Sequence, residues 1–412
     1  MFRPLHVVLV LVNLFPVAVA ASPLWRSDVR RNEPVSNTLE PSVANDESLV
    51  FYLQAGQVRA VEATTDRFLW AFRVGRGAQL RYGSGRVLAV TARGKIYALE
   101  PATGRVRWTR GTDAEANSQI YAVADGTLYI AESEKLRAVH LETGKTKWTT
   151  RVPSFAPFEP FAFVKNRVFV FSVSGDAINA TTAMFDTRTG QFLGNADTHG
   201  PLAAAGERAF FQDSFFPIDY PDDVFVNVHS MRTGRLLERR IYSVMDRVTG
   251  NYSSSKTAIG LGALYVSSDN NVACFPLAQR GGRAKPDFIR VPDDAVTWLE
   301  GPHRGTFVLE WRSAVWLVRA RRDKPCAPID LLRQGNRLGP GRVARVTISG
   351  DGLYISLRNG AFYAADARSG RVALRLELPA ASFGPALVVG KTLVVDAGNE
   401  LFAFSLPEIL ER

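Results

Sequence analysis

Few residues of this sequence are both reactive and grouped. Four histidines lie beyond the first 21 residues, His140, His199, His229 and His303. None has the spacing of a metal site. The two cysteines, Cys274 and Cys326, stand 52 residues apart and form no metal motif. In an oxidising compartment they could pair, and the sequence leaves that open. Ser174-Gly175 and Ser349-Gly350 read as turns, without the strand-turn-helix setting that exposes a nucleophilic serine. Gly83-Ser84-Gly85 joins two strand-like runs and opens no helix, which argues against a phosphate cradle. Four carboxylates, Glu62, Glu100, Asp186 and Asp366, recur at one position of a repeated phrase. Spread out in this way, each is expected to accept backbone N–H bonds in its own turn and not to share a metal. The sequence therefore offers no catalytic residue, no cofactor-binding residue and no metal ligand.

The repeated phrase must be understood first as structure. From Gly94 to Trp108 it reads as a β-hairpin: Ile96 and Ala98 share one face, Tyr97 and Leu99 the other. Pro101-Ala102-Thr103-Gly104 makes the turn, with Gly104 at a left-handed position. Copies run from Val58 to Trp70 and from Leu136 to Trp148. Weaker copies are Met184–Gly190, Val228–Gly234 and Ala364–Gly370. Trp70, Trp108 and Trp148 follow one another at 38 and 40 residues. Strands repeating at that period signal a propeller or an array. The tryptophans, with Gly104, Gly144, Gly190, Gly234 and Gly370, are expected to be structural, filling one packing slot per repeat.

Tyr97-Ala98-Leu99-Glu100, Thr103-Gly104 and Trp108 together resemble the repeat of the PQQ-like β-propellers. That family includes quinone-dependent alcohol and glucose dehydrogenases and the non-enzymatic outer-membrane assembly propeller BamB. The resemblance implies an all-β fold, a β-propeller of four-stranded antiparallel blades. Nine runs read as second strands: Leu49–Leu53, Val87–Val90, Leu128–Ile130, Val168–Phe171, Ala209–Phe211, Leu264–Val266, Phe307–Leu309, Leu353–Ile355 and Leu393–Val395. Because the middle repeats are degenerate and one unit could be an insertion, the reading settles on eight blades and keeps nine open. The chain ends on two middle strands, Thr392–Asp396 and Leu401–Phe404, with no outer strand after them. Trp25–Val29 resembles an outer strand cut off from its blade, so the N-terminal strand is expected to close the ring.

The chain has 412 residues, 46% of them hydrophobic, and a net charge of +10. The charge favours anionic partners, but no basic block is interleaved with aromatics as nucleic-acid binding would require, so no nucleic acid is expected. Residues 1–21 read as a signal peptide: Arg3, then an apolar run from Val7 to Val19, then Ala18-Val19-Ala20 as cleavage site. Residues 22–46 form an N-terminal segment carrying the closing strand, and residues 47–412 the propeller. Export to the periplasm or beyond is expected, without a lipid anchor, since no cysteine stands at the cleavage point.

Two stretches depart from the repeat. Gln212–Val224 inserts aromatics, acids and two prolines between two strands of one blade and reads as a displayed loop. Phe215, Phe216, Tyr220 and Asp222 are its candidate partner contacts. Ala278–Pro286 reads as a flexible hairpin end. Quinone-dependent members of the family carry calcium ligands and a catalytic acid, and many of the alcohol dehydrogenases carry adjacent cysteines; none of these can be placed here. The resemblance thus favours a non-catalytic, monomeric scaffold without cofactor that binds envelope or outer-membrane proteins, with peripheral membrane association left open. The alternatives are a quinone-dependent dehydrogenase-like enzyme and an envelope-polysaccharide binder.

Overall fold

A computed structural model describes residues 22–28, 43–45, 48–111, 120–132, 134–151, 161–173, 180–196, 198–213, 223–244, 257–267, 272–284, 288–290, 296–380 and 382–411. Within them nine antiparallel sheets follow one another as blades. Blades 1 to 8 span residues 43–73, 79–110, 120–151, 162–196, 198–244, 257–276, 297–340 and 343–377. Blade 9 takes three strands from 383–405 and its fourth from Trp25–Asp28. All nine second-strand runs read from the sequence are second strands of blades. The count of eight is therefore corrected to nine.

Among the described residues blade 6 has only three strands, Thr257–Gly260, Ala263–Ser267 and Val272–Pro276. The chain leaves it to place Gly282–Ala284 in parallel beside Leu236–Val244, the outer strand of blade 5. Ile289–Arg290 then pairs in parallel with Ile329–Asp330. The stretch read as a flexible hairpin end therefore contributes a strand to the neighbouring blade.

First strands of successive blades pack against one another and line the middle; fourth strands lie at the rim. Blades are buried on both faces, so alternate residues of one strand serve different neighbours. In blade 2, Ile96 and Ala98 face blade 3 while Leu99 and Tyr97 face blade 1. The apolar core is divided in the same way. Nine clusters of buried side chains each draw on two successive blades, and the ninth joins blade 9 to blade 1 through Trp25. A phenylalanine buried between blades, such as Phe51, Phe185 or Phe362, contributes roughly 1.5–3 kcal/mol. No single core has to span the molecule.

The N-terminal strand closes the ring as expected. Trp25–Asp28 pairs antiparallel with Glu400–Ala403. The Leu24 amide adds a bond of 2.7 Å to the Ala403 carbonyl.

Candidate functional site

The residues singled out from the sequence separate into two groups. Phe215, Phe216, Tyr220 and Asp222 lie outside the described residues, between the strands Arg208–Asp213 and Asp223–Ser230. The tryptophans and glycines form the seams between blades. The indoles of Trp70, Trp108 and Trp148 donate to the carbonyls of Pro101, Leu141 and Thr187, at 2.7, 2.8 and 3.0 Å. Trp25 donates to the Ala63 carbonyl at 2.7 Å in the same way. Each acceptor stands where the third strand of the next blade ends.

Glycine is required beneath these rings. A Cβ on Gly104, Gly144 or Gly190 would lie 2.6, 2.8 or 2.5 Å from the indole of Trp70, Trp108 or Trp148. All three also have positive φ, where a side chain is strained. Gly370 shares the φ, at 69°, but a Cβ there would meet nothing within 4 Å. We therefore expect Gly370→Ala to cost about 1–2 kcal/mol, the left-handed strain alone. Gly144→Ala should cost about 3 kcal/mol or more, since Trp108 must also leave its slot. Denaturant midpoints of the two variants would separate the contributions.

The recurring acids diverge by one methylene. Asp186 accepts from the amides of Arg188 and Thr189 at 3.1 and 2.9 Å, and Asp366 from those of Arg368 and Ser369 at 3.0 and 3.2 Å. Burial raises both carboxyls, but the hydrogen bonds within the turn outweigh it and hold them below the ordinary aspartate pKa. The longer Glu62 and Glu100 instead accept from the hydroxyls of Thr65 and Thr103, at 2.6 and 2.9 Å. The expectation of backbone bonds thus holds for the aspartates only. Among the described residues no three of His, Cys, Asp and Glu gather as a metal would require. His229 and His303 bond the carbonyls of Gly234 and Gly350, each at 2.9 Å.

From blade 4 onward the tryptophan is lost, but the acceptor position is kept at three seams. Arg167 donates to the Met231 carbonyl at 2.5 Å, Arg240 to that of Leu277 at 2.7 Å, and the Thr306 hydroxyl to that of Ala367 at 2.5 Å. At the seam of blades 6 and 7 a covalent link takes over. Cys274, on the last strand of blade 6, is bonded to Cys326 in the long connection of blade 7.

Loss of the tryptophans opens the rim at blades 4 and 5. Gly194 stands where Trp148 stands one blade earlier, four residues past the turn glycine. The Leu193 carbonyl, instead of an indole, comes up against Gly234. The outer strand of blade 5, Leu236–Val244, is left with Leu236, Leu237 and Ile241 exposed at 51%, 54% and 45%. Phe192, on the strand passing Gly234, is 39% exposed. An exposed apolar stripe on a single chain commonly marks an interaction site. Its surroundings are basic: Arg188, Arg232, Arg235 and Arg239 are exposed. Glu238 is turned to Arg240 and Arg280.

This rim was not read from the sequence. The available signal was apolar residues at outward positions of an outer strand, just where the repeat drops its tryptophan.

Residues 54–201, about a third of the chain, match the family profile described as outer membrane protein assembly factor BamB. No curated protein matches significantly. Among solved structures the chain is similar to a europium-containing methanol dehydrogenase, with 12% identity over 93% of each chain and a TM-score of 0.52. It is also similar to quinohemoprotein alcohol dehydrogenase from Comamonas testosteroni, with 12% identity over 94% of this chain and 77% of that one, and a TM-score of 0.51. BamB from Moraxella catarrhalis aligns at 15% identity over 82% and 96%, with a TM-score of 0.48. At these identities the dehydrogenases establish the propeller fold and nothing finer. The match over residues 54–201 identifies the repeats there as PQQ-like β-propeller repeats, and the same phrase recurs in the blades as far as Gly370.

Proposed function

We propose that this chain is a non-catalytic scaffold of the bacterial cell envelope that binds a partner protein along the rim of blades 4 and 5. The observation carrying this reading is the apolar stripe Leu236, Leu237 and Ile241 with Phe192, flanked by exposed arginines. The description of the profile that matches residues 54–201, an outer membrane protein assembly factor, supports a protein of the envelope or outer membrane as the proposed partner. No helix among the described residues is long and apolar enough to cross a membrane. Residues 1–21 supply the export signal in this proposal.

The test is capture from detergent-solubilised envelopes on the immobilised mature chain. Wild type should retain a defined partner, and Leu237→Glu with Ile241→Glu should weaken retention by about tenfold or more, as loss of a buried apolar hot spot does. Equal retention by the variant would remove the rim from the reading. Turnover of an alcohol after addition of the quinone and calcium would replace the scaffold by an enzyme.

A further inference from the structure

We propose that the outer edge of Leu236–Arg240 receives an extended, acidic segment of the partner as an added β-strand. This rests on the scaffold reading and specifies how its rim is used. Leu236–Val244 is the fourth strand of blade 5, and it pairs inward with the third strand from Leu236 to Ser243, with a bulge at Leu237. On its outer side the fold already adds a strand: Gly282–Ala284 runs parallel to it, with Tyr242 opposite Gly282 and Val244 opposite Ala284. That strand stops at residue 242. Gly281 ends against the Ile241 carbonyl, where a Cβ would lie 2.6 Å from the oxygen. Among the described residues no strand lies beside the outer edge of Leu236–Arg240.

An outer strand with no strand beside it is a template for one more. Main-chain bonds supply affinity in such additions, and side chains two apart supply selectivity. Here Leu237, Arg239 and Ile241 alternate on one face and all three are exposed. An incoming strand would therefore meet an apolar, a basic and an apolar position in turn. Arg235 and Arg232 lie beyond the N-terminal end of the strand. The complement is a segment alternating aliphatic residues with carboxylates. A second copy of this chain is a poor occupant, because it would bring Arg239 and Arg235 against their own like.

The experiment uses the whole mature chain and an acetylated, amidated decapeptide alternating valine and glutamate, with amide hydrogen exchange as readout. Alternate amides between Leu236 and Arg240 should gain protection. The effect should weaken about tenfold from low to high salt, and the valine–lysine counterpart should give none. Arg235→Glu with Arg239→Glu should reverse the preference between the two peptides. Absence of protection at these amides, protection of consecutive instead of alternate amides, or equal protection by the lysine peptide would each overturn strand addition. If Leu237→Glu still abolishes partner capture while the edge amides stay unprotected, the scaffold stands and the strand does not. Edge protection by the acidic peptide without capture of any envelope protein would leave the binding edge and remove the scaffold.

Discussion

Replacing Cys274 and Cys326 together by alanine should destabilise the protein by about 4 kcal/mol. The bridge closes a loop of 52 residues, and the entropy of closing such a loop in the unfolded chain has that size. Its position adds to the effect. Among the described residues blade 6 has no fourth strand of its own. The bridge holds the last strand of blade 6 to a connection that also carries Ile329 and Leu331 into the shared cluster with Phe288 and Ile289. Denaturant midpoints of wild type and double variant, with and without reductant, give the comparison. Reductant should bring wild type to the variant's midpoint and leave the variant unmoved. Amide exchange should rise first between residues 263 and 290. A wild-type midpoint insensitive to reductant would refute the bridge's role.

Removing residues 22–28 should have a comparable effect by a different route. Trp25 is buried at the seam of blades 9 and 1 and bonds Ala63 there. Cutting a buried tryptophan to alanine costs about 3–5 kcal/mol. Loss of the whole strand also bares the edge of Glu400–Ser405, which invites association. A lower melting temperature and concentration-dependent light scattering are expected together. Arg26→Ala is the control. Its ion pair with Glu400 is exposed, so it should cost no more than about 1 kcal/mol. A truncated chain that melts like wild type would show that the ring closes without this strand.

Much of this architecture could be read before any coordinates. The phrase from Val58 to Trp148 fixed the blade and its turn, and the strand at Trp25 predicted the closure. The miscount of blades has a physical cause. Among the described residues blade 6 has neither a fourth strand nor the tryptophan, and its third strand is instead tied by a disulfide to a connection of blade 7. Local pattern carries no mark of such an arrangement. The seams at Arg167, Arg240 and Thr306 were illegible for a related reason: their donors come from different strands, so no fixed spacing marks them. The exposed stripe at Leu237 and Ile241 reads as an ordinary strand until the missing indole beside it is known.

The acceptor at the third-strand end is a peptide oxygen, and no substitution can delete it. An indole, a guanidinium or a hydroxyl reaching it from the preceding blade serves equally well as a donor. Divergence can then proceed one joint at a time, each trial donor tested against an invariant target, while the wheel stays intact. Circular architecture of this kind can outlast nearly all trace of shared ancestry in its side chains.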